Sequence, residues 1–268
     1  MAVVLVIVSL LMGYFLVGGV AFMETQNIKK TEAKLSTIEV ALAGYVAING
    51  RLPCPANGQI TTGTEDGGVG GCTANQQYGV VPWITLGLSE NDVLDAWHRR
   101  ISYRVGKDLW VARGMDMTAC DAAGTESVAA TPKLCTLGCT STNLSTCTPP
   151  PLFLQTGKGI DIKSAASAGL PLMDTTTTPS GGAAYVLISH GKNGNGGYLK
   201  GGGAIIPITG SGNDEAPNSN NVAVAFGTTF FVDRDYSEAE GPTRFDDIVL
   251  RPSIMRVLLQ AQRGPRTH

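Results

Sequence analysis

Three histidines, at positions 98, 190 and 268, and six cysteines are the scarce reactive residues of this 268-residue chain, so its chemistry is read first from what surrounds them. A hydrolase needs a nucleophile with a base in reach, and no G-x-S-x-G or H-E-x-x-H run supplies one. Ser189 and His190 are adjacent in ISHGKNG, but neighbours on a strand face opposite ways. They are expected not to act on each other, with His190 in a turn or on the surface. The run GKNGNGGYLKGGG is followed by no GKS or GKT, so it reads as a flexible connection between strands rather than a phosphate loop. No catalytic residue and no organic cofactor is expected.

Oxygen ligands are more plentiful. Calcium takes roughly six to eight oxygens from carboxylates, amides and carbonyls, and Asn193, Asn195, Asp214, Glu215, Asn218, Asn220, Asp246 and Asp247 gather in late loops. A Ca2+ site at Asn193, Asn195, Asp214, Glu215, Asp246 and Asp247 is the metal expectation, set against solvated turns with capped carboxylates. Asp233, Asp235 and Ser237 imitate the opening of an EF-hand loop, but Glu238 stands where its glycine is needed and Arg244 where its last carboxylate belongs.

Cys54, Cys72, Cys120, Cys135, Cys139 and Cys147 all follow a long apolar run, and disulfides are expected if that part of the chain is exported. Closeness in sequence favours Cys54 with Cys72, then two bridges among the other four, whose pairing stays open. The C-x-x-x-C of CTLGC has no histidine near it, which weighs against thiolate-bound metal. The net charge of -2 offers no basic face for a nucleic-acid backbone. With 34 Gly, 14 Pro and only 16% charged residues, the chain reads as turn-rich and β-containing.

The element that must position all of this is at the start. Residues 1–23 carry no charge and, as a helix, extend roughly 33 Å, enough to cross a bilayer core. Residues 24–48 turn amphipathic: Ile28, Leu35 and Leu42 fall on one stripe with Ile38 and Tyr45, while Lys29, Lys30, Glu32, Lys34 and Glu39 take the other face. No proline interrupts the run before Pro53, so one helix about 70 Å long is expected, ending at Asn49-Gly50.

Residues 49–268 then form one globular head. Residues 56–79 form a loop stapled by Cys54 and Cys72, and Ser89 caps a short helix with Asp92 in its first turn. Strands are expected at 101–105, 109–113 (joined by a hairpin at 106–108), 184–189, 222–233 and 248–250. A terminal helix should carry Ile254, Val257, Leu258 and Ala261, with Pro252 at its first position. Residues 114–182, with the tracts TSTNLSTCTPPP and DTTTTPSGG, read as an inserted surface region.

With GRLPCPA, GVVPWITLGL, DAWHRRISYRV, VLISHGKNGNGGY and FDDIV following in order, the N-terminal helix resembles that of the type IV pilin and type II secretion pseudopilin superfamily. The resemblance implies an α+β fold, with a long N-terminal helix packed on an antiparallel sheet. It implies a structural subunit, minor or specialised, of a pilus or pseudopilus, held in the inner membrane with its head in the periplasm before assembly. Its partners would be other pilin subunits, the inner-membrane assembly machinery and membrane lipid. Ile7, Leu11, Gly13, Gly18, Ile28, Leu35 and Leu42 would be assembly-helix residues, and a calcium loop near the C-terminal end is implied as well. That family places a basic leader ending in Gly, an aromatic residue and an early Glu ahead of this stretch, and these are expected upstream of Met1. The alternative is a singly anchored periplasmic binding or calcium-dependent adhesion protein that does not polymerise.

Overall fold

The computed structural model describes residues 2–67, 72, 79–107, 109–111, 114–115, 157–177, 180–208, 214–220, 229–237, 241 and 244–263, with side chains from Phe22 onward. Helix α1, Ala2–Asn49, is continuous. Ile7, Leu11, Gly13 and Gly18 fall on it, but their side chains lie outside the described residues, and most of the expected membrane half goes with them. Among the described residues no helix is long and apolar enough to cross a membrane.

The second half of α1 is fixed by its stripe. Thr31, Leu35, Ile38, Leu42 and Val46 are buried on one face, while Ile28 and Tyr45 are half-buried at its margin. Each fully buried aliphatic side chain contributes about 1.5–3 kcal/mol to this docking. Glu39 departs from the expected polar face: it is buried on the same side and paired with Arg256 at 2.8 Å. Gly50 stops the helix at φ 63°, its amide donating to the Val46 carbonyl at 2.8 Å, in the left-handed geometry that glycine adopts without cost from a Cβ.

The stripe lies against an antiparallel sheet of order β1-β2-β4-β7-β10, comprising β1 (Ala56–Asn57), β2 (Gly79–Val80), β4 (Ser102–Val105), β7 (Tyr185–Ser189) and β10 (Ile248–Leu250). Strand β3 (Arg99–Arg100) pairs with β8 (Tyr198–Leu199). A third sheet runs β6 (Pro171–Met173), β5 (Asp161–Lys163), β9 (Phe230–Val232), with β5 and β9 parallel. Mixed α and β structure with antiparallel pairing is therefore what the chain adopts, with one parallel pair added.

Strand β7 is buried on both faces because two cores use its alternating side chains. Tyr185 and Leu187 join the cluster beneath α1, with Tyr103, Val105 and Trp83, while Val186 and Ile188 join Ile160 and, from the third sheet, Ile162 and Phe231. Residues 157–177 and 180–182 are thus built into the head through β5 and β6, whereas residues 116–156 and Cys120, Cys135, Cys139 and Cys147 lie outside the described residues.

Several local expectations change. Ser89 and Asp92 form the reciprocal cap, but on a 3-10 turn, Glu90–Val93. Residues 109–111 are not a strand: Leu109 turns into the core, and its carbonyl accepts from the Leu52 amide at 2.9 Å instead of joining a ladder. Helix α2, Ile254–Gln260, is capped by Ser253, whose hydroxyl accepts from the Arg256 amide, so Pro252 precedes the cap. Its buried residues Ile254, Val257 and Leu258 pack in the α1 cluster, and Arg263 donates to the Ala47 carbonyl of α1.

Cys54 and Cys72 are bridged, closing a sequence separation of 18 residues. By loop length such a bridge contributes about 3 kcal/mol. Beside it Arg51 grips Glu65 with two hydrogen bonds at 2.8 and 2.9 Å. The same carboxylate accepts from the Cys54 amide at 2.9 Å and the Tyr45 hydroxyl at 3.2 Å. Burial alone would raise the Glu65 pKa; the bonds from Arg51 and Cys54, with Arg51's charge, outweigh it and hold Glu65 below the usual carboxylate range.

Candidate functional site

The face of the sheet turned away from α1 is polar at one end. Ser102 and Arg104 stand two apart on β4 and so share that face; Ile188 stands on it opposite Ser102, and His190 follows two residues on. Ser102 Oγ lies 2.8 Å from His190 Nε2, and Asn220 Nδ2 donates to Ser102 Oγ at 2.6 Å and to the Gly196 carbonyl at 3.0 Å. Arg104 donates to Asn220 Oδ1 at 2.7 Å and to the Gly79 carbonyl at 2.5 Å. Burial pushes the Arg104 guanidinium down to about 10. It pushes His190 down to about 3, with the charges of Arg104 and Arg99 adding and the Asn195 backbone opposing, so the ring is neutral at pH 7.

His190 is therefore not the turn or surface residue that its glycine-rich surroundings predicted: it is 1% exposed. The following segment does connect two strands, β7 and β8. Gly191, Gly194 and Gly196 take positive φ in successive turns that lead into β8. At Gly191 a Cβ would come within 2.0 Å of the Asp246 carbonyl oxygen, so only glycine fits where the two loops meet. Ser189 turns to a different partner, donating to Asp95 at 2.8 Å.

Ser102, His190 and Asp247 have the composition of a serine-hydrolase triad, with His190 Nδ1 3.8 Å from Asp247 Oδ1. Ser102 is 1% exposed in the middle of the sheet, and its hydroxyl already serves Asn220. A cavity of about 520 Å³ is lined instead by Ser164, Leu172, Asp233, Arg234 and Arg251, among others. That cavity does not include Ser102 or His190, both of which are 1% exposed.

Beyond His190 three carboxylates meet. Glu215 precedes a 3-10 turn, Ala216–Asn218, while Asp246 and Asp247 lead into β10; one oxygen from each lies within 4.8 Å of the others, and all three residues are buried. Asn193 donates its amide nitrogen to both Glu215 oxygens, at 3.0 and 3.2 Å, and its backbone amide to Asp246 Oδ2 at 2.9 Å. The Asp246 amide donates to Glu215 Oε1 at 3.0 Å, and Asn218 donates to Asp247 Oδ2 at 2.8 Å. The guanidinium paired with the cluster among the described residues is Arg244, 3.8 Å from Asp246. Burial, with the neighbouring carboxyl of Asp246, pushes Glu215 up to about 7. Burial likewise pushes Asp247 well above the usual range, with Glu215 and Asp246 adding to it. Such a group can share protons or close on a cation.

Of the six residues expected to hold calcium, the fold brings Glu215, Asp246 and Asp247 together. Asp214 faces elsewhere, to Arg234 and the Ala166 amide. Asn193 stands beside the cluster, but its Oδ1 is occupied by the Asn195 amide at 2.7 Å, so it braces the carboxylates. Asn195 reaches this network through that backbone amide. The EF-hand imitation dissolves: Asp233 pairs with Arg251 at 2.6 Å, and Ser237 bridges to Phe245. His190 is the residue that sequence reading missed. Its signal was the alternation of Val186, Ile188 and His190 along one strand face.

Compared with known proteins, the chain matches no family model, no curated protein and no solved structure.

Proposed function

We propose that the chain is a pilin-like subunit, minor or specialised, of a type IV pilus or type II secretion-like pseudopilus. The observation that carries this reading is the division of labour along α1. From Thr31 to Val46 the helix is clamped to the sheet by apolar packing, and Arg256 and Arg263 tie it to the C-terminal segment. The same helix runs on without a break to Ala2, through the uncharged sequence. A rod so built holds its head firmly while offering its first half to lipid and, after extraction, to neighbouring rods. Exposed Phe22, Met23, Val40 and Ile48 add apolar surface outside the head core for such neighbours to cover.

In this reading the subunit waits in the inner membrane with its head in the periplasm, and the assembly machinery and other pilin subunits are its partners. The test is Leu11→Lys in the native cells. Loss of both membrane insertion and incorporation into sheared filaments is expected; a chain found only as a membrane-held monomer in wild-type cells would overturn the proposal. The second reading, a singly anchored binding or adhesion protein that does not polymerise, draws on the acidic cluster, and it is the one that a monomer would favour.

A further inference from the structure

Around Asp247 three ligand-type atoms have no hydrogen-bond partner among the described residues: Asp246 Oδ1, Asp247 Oδ1 and His190 Nδ1. Their side chains are at most 2% exposed. Hydrogen bonds fix the remainder of each group, since Asp246 Oδ2 is held by Asn193, Asp247 Oδ2 by Asn218 and His190 Nε2 by Ser102. An unpartnered buried nitrogen beside unpartnered buried oxygens is costly unless something satisfies them together. We infer that Glu215, Asp246, Asp247 and His190 Nδ1 form a four-ligand site for a divalent cation of the zinc class. The inference is independent of the filament reading.

Three features select this class over calcium. Calcium takes roughly six to eight oxygens, and the nearby amide oxygens are already engaged: Asn193 Oδ1 by Asn195, Asn218 Oδ1 by Val232 and Asn220 Oδ1 by Arg104. Three carboxylates, with Glu215 still accepting from Asn193 and Asp246, and one imidazole then make a donor set and number that suit zinc. The second is the tautomer. With Nδ1 on the metal, the Nε2–H donates to Ser102 Oγ, the outer contact that orients a ligating histidine.

The third is charge. Three carboxylates and one dication leave a single negative charge, which Arg244 beside Asp246 neutralises. Tetrahedral zinc places its ligand atoms about 3.3 Å apart; the 3.8 Å between His190 Nδ1 and Asp247 Oδ1 is near that, but His190 lies outside the 4.8 Å grouping of the three carboxylates, so binding must draw the ring toward Glu215 and Asp246 as well.

The experiment adds Zn2+ or Ca2+ to the detergent-solubilised, oxidised full chain, measures binding and melting, and reads the bound zinc by X-ray absorption. One Zn2+ per chain is expected, with imidazole and oxygen but no sulfur around it, and with a rise in melting temperature that Ca2+ does not reproduce. His190→Gln should weaken Zn2+ at least tenfold, whereas Asp214→Asn should leave it unchanged. Should the His190 variant fail to fold, Asp247→Asn and the wild-type absorption spectrum decide. Preference for Ca2+, zinc held through sulfur, zinc without imidazole, or no binding would each overturn the site.

Discussion

Glu65 and Glu215 each accept a backbone amide hydrogen, from Cys54 and Asp246, yet the two sites are electrostatic opposites. Glu65 sits at the foot of the stem with Arg51 bidentate on it, and its proton is released more readily than usual. Glu215 sits at the far side of the sheet among two more carboxylates, and holds its proton up to about pH 7. Burial acts in the same direction on both. What separates them is a counter-ion supplied by the fold, which the junction has as a bidentate, buried Arg51 and the cluster has as one partly exposed Arg244, 3.8 Å from Asp246. The first site is finished by protein alone; the second is built as though for something added.

The sharpest test of that contrast is removal of each carboxylate. Glu65→Ala leaves Arg51 unpaired beside the stem and should cost about 3 kcal/mol in chemical denaturation. Glu215→Gln should act in the opposite sense, stabilising the metal-free chain by about 1 kcal/mol at pH 8, because it removes a charge that burial disfavours. Equal destabilisation by both would break the comparison.

The pH profile sharpens it. The Glu215 pKa is raised in the folded chain, from 4.5 to about 7, so its contribution is present below about 4.5 and is lost as pH rises toward 7. The Glu65 pKa is lowered from 4.5, so its contribution is present above that value and lost as pH falls through the folded value. Melting of metal-free protein should therefore weaken on both sides of a mildly acidic optimum, and Zn2+ should remove the loss on the neutral side alone. The smallest effect belongs to Arg244→Ala. Its side chain is 30% exposed and 3.8 Å from Asp246, so the change should stay within about 0.5 kcal/mol by thermal melting.

How far these sites were legible in the sequence depends on the range of the interaction. The α1 stripe of Leu35, Ile38 and Leu42, the Cys54–Cys72 bridge and the Ser89 cap are local patterns, and each could be read from spacing. Glu39 could not, because its partner Arg256 lies 217 residues away and lets a charge occupy the buried face. His190 was hidden by its immediate neighbours. Glycines around it suggested a surface turn, whereas its environment is set by Ser102, 88 residues earlier, through the β4–β7 register. For the acidic cluster composition gave the right loops, but only the fold separates Asp214, which leaves with Arg234, from Asp246 and Asp247, which stay.

The central claim is that one helix serves the head with its second half and other copies of the chain with its first. Single cysteines introduced at Val6 and at Leu35, followed by oxidation of filaments sheared from cells, test it directly. The Val6 variant should give a covalently linked dimer of copies, while the Leu35 variant, buried beneath its own head, should not. Monomer alone from both, or crosslinking through Leu35 with none through Val6, would contradict the account.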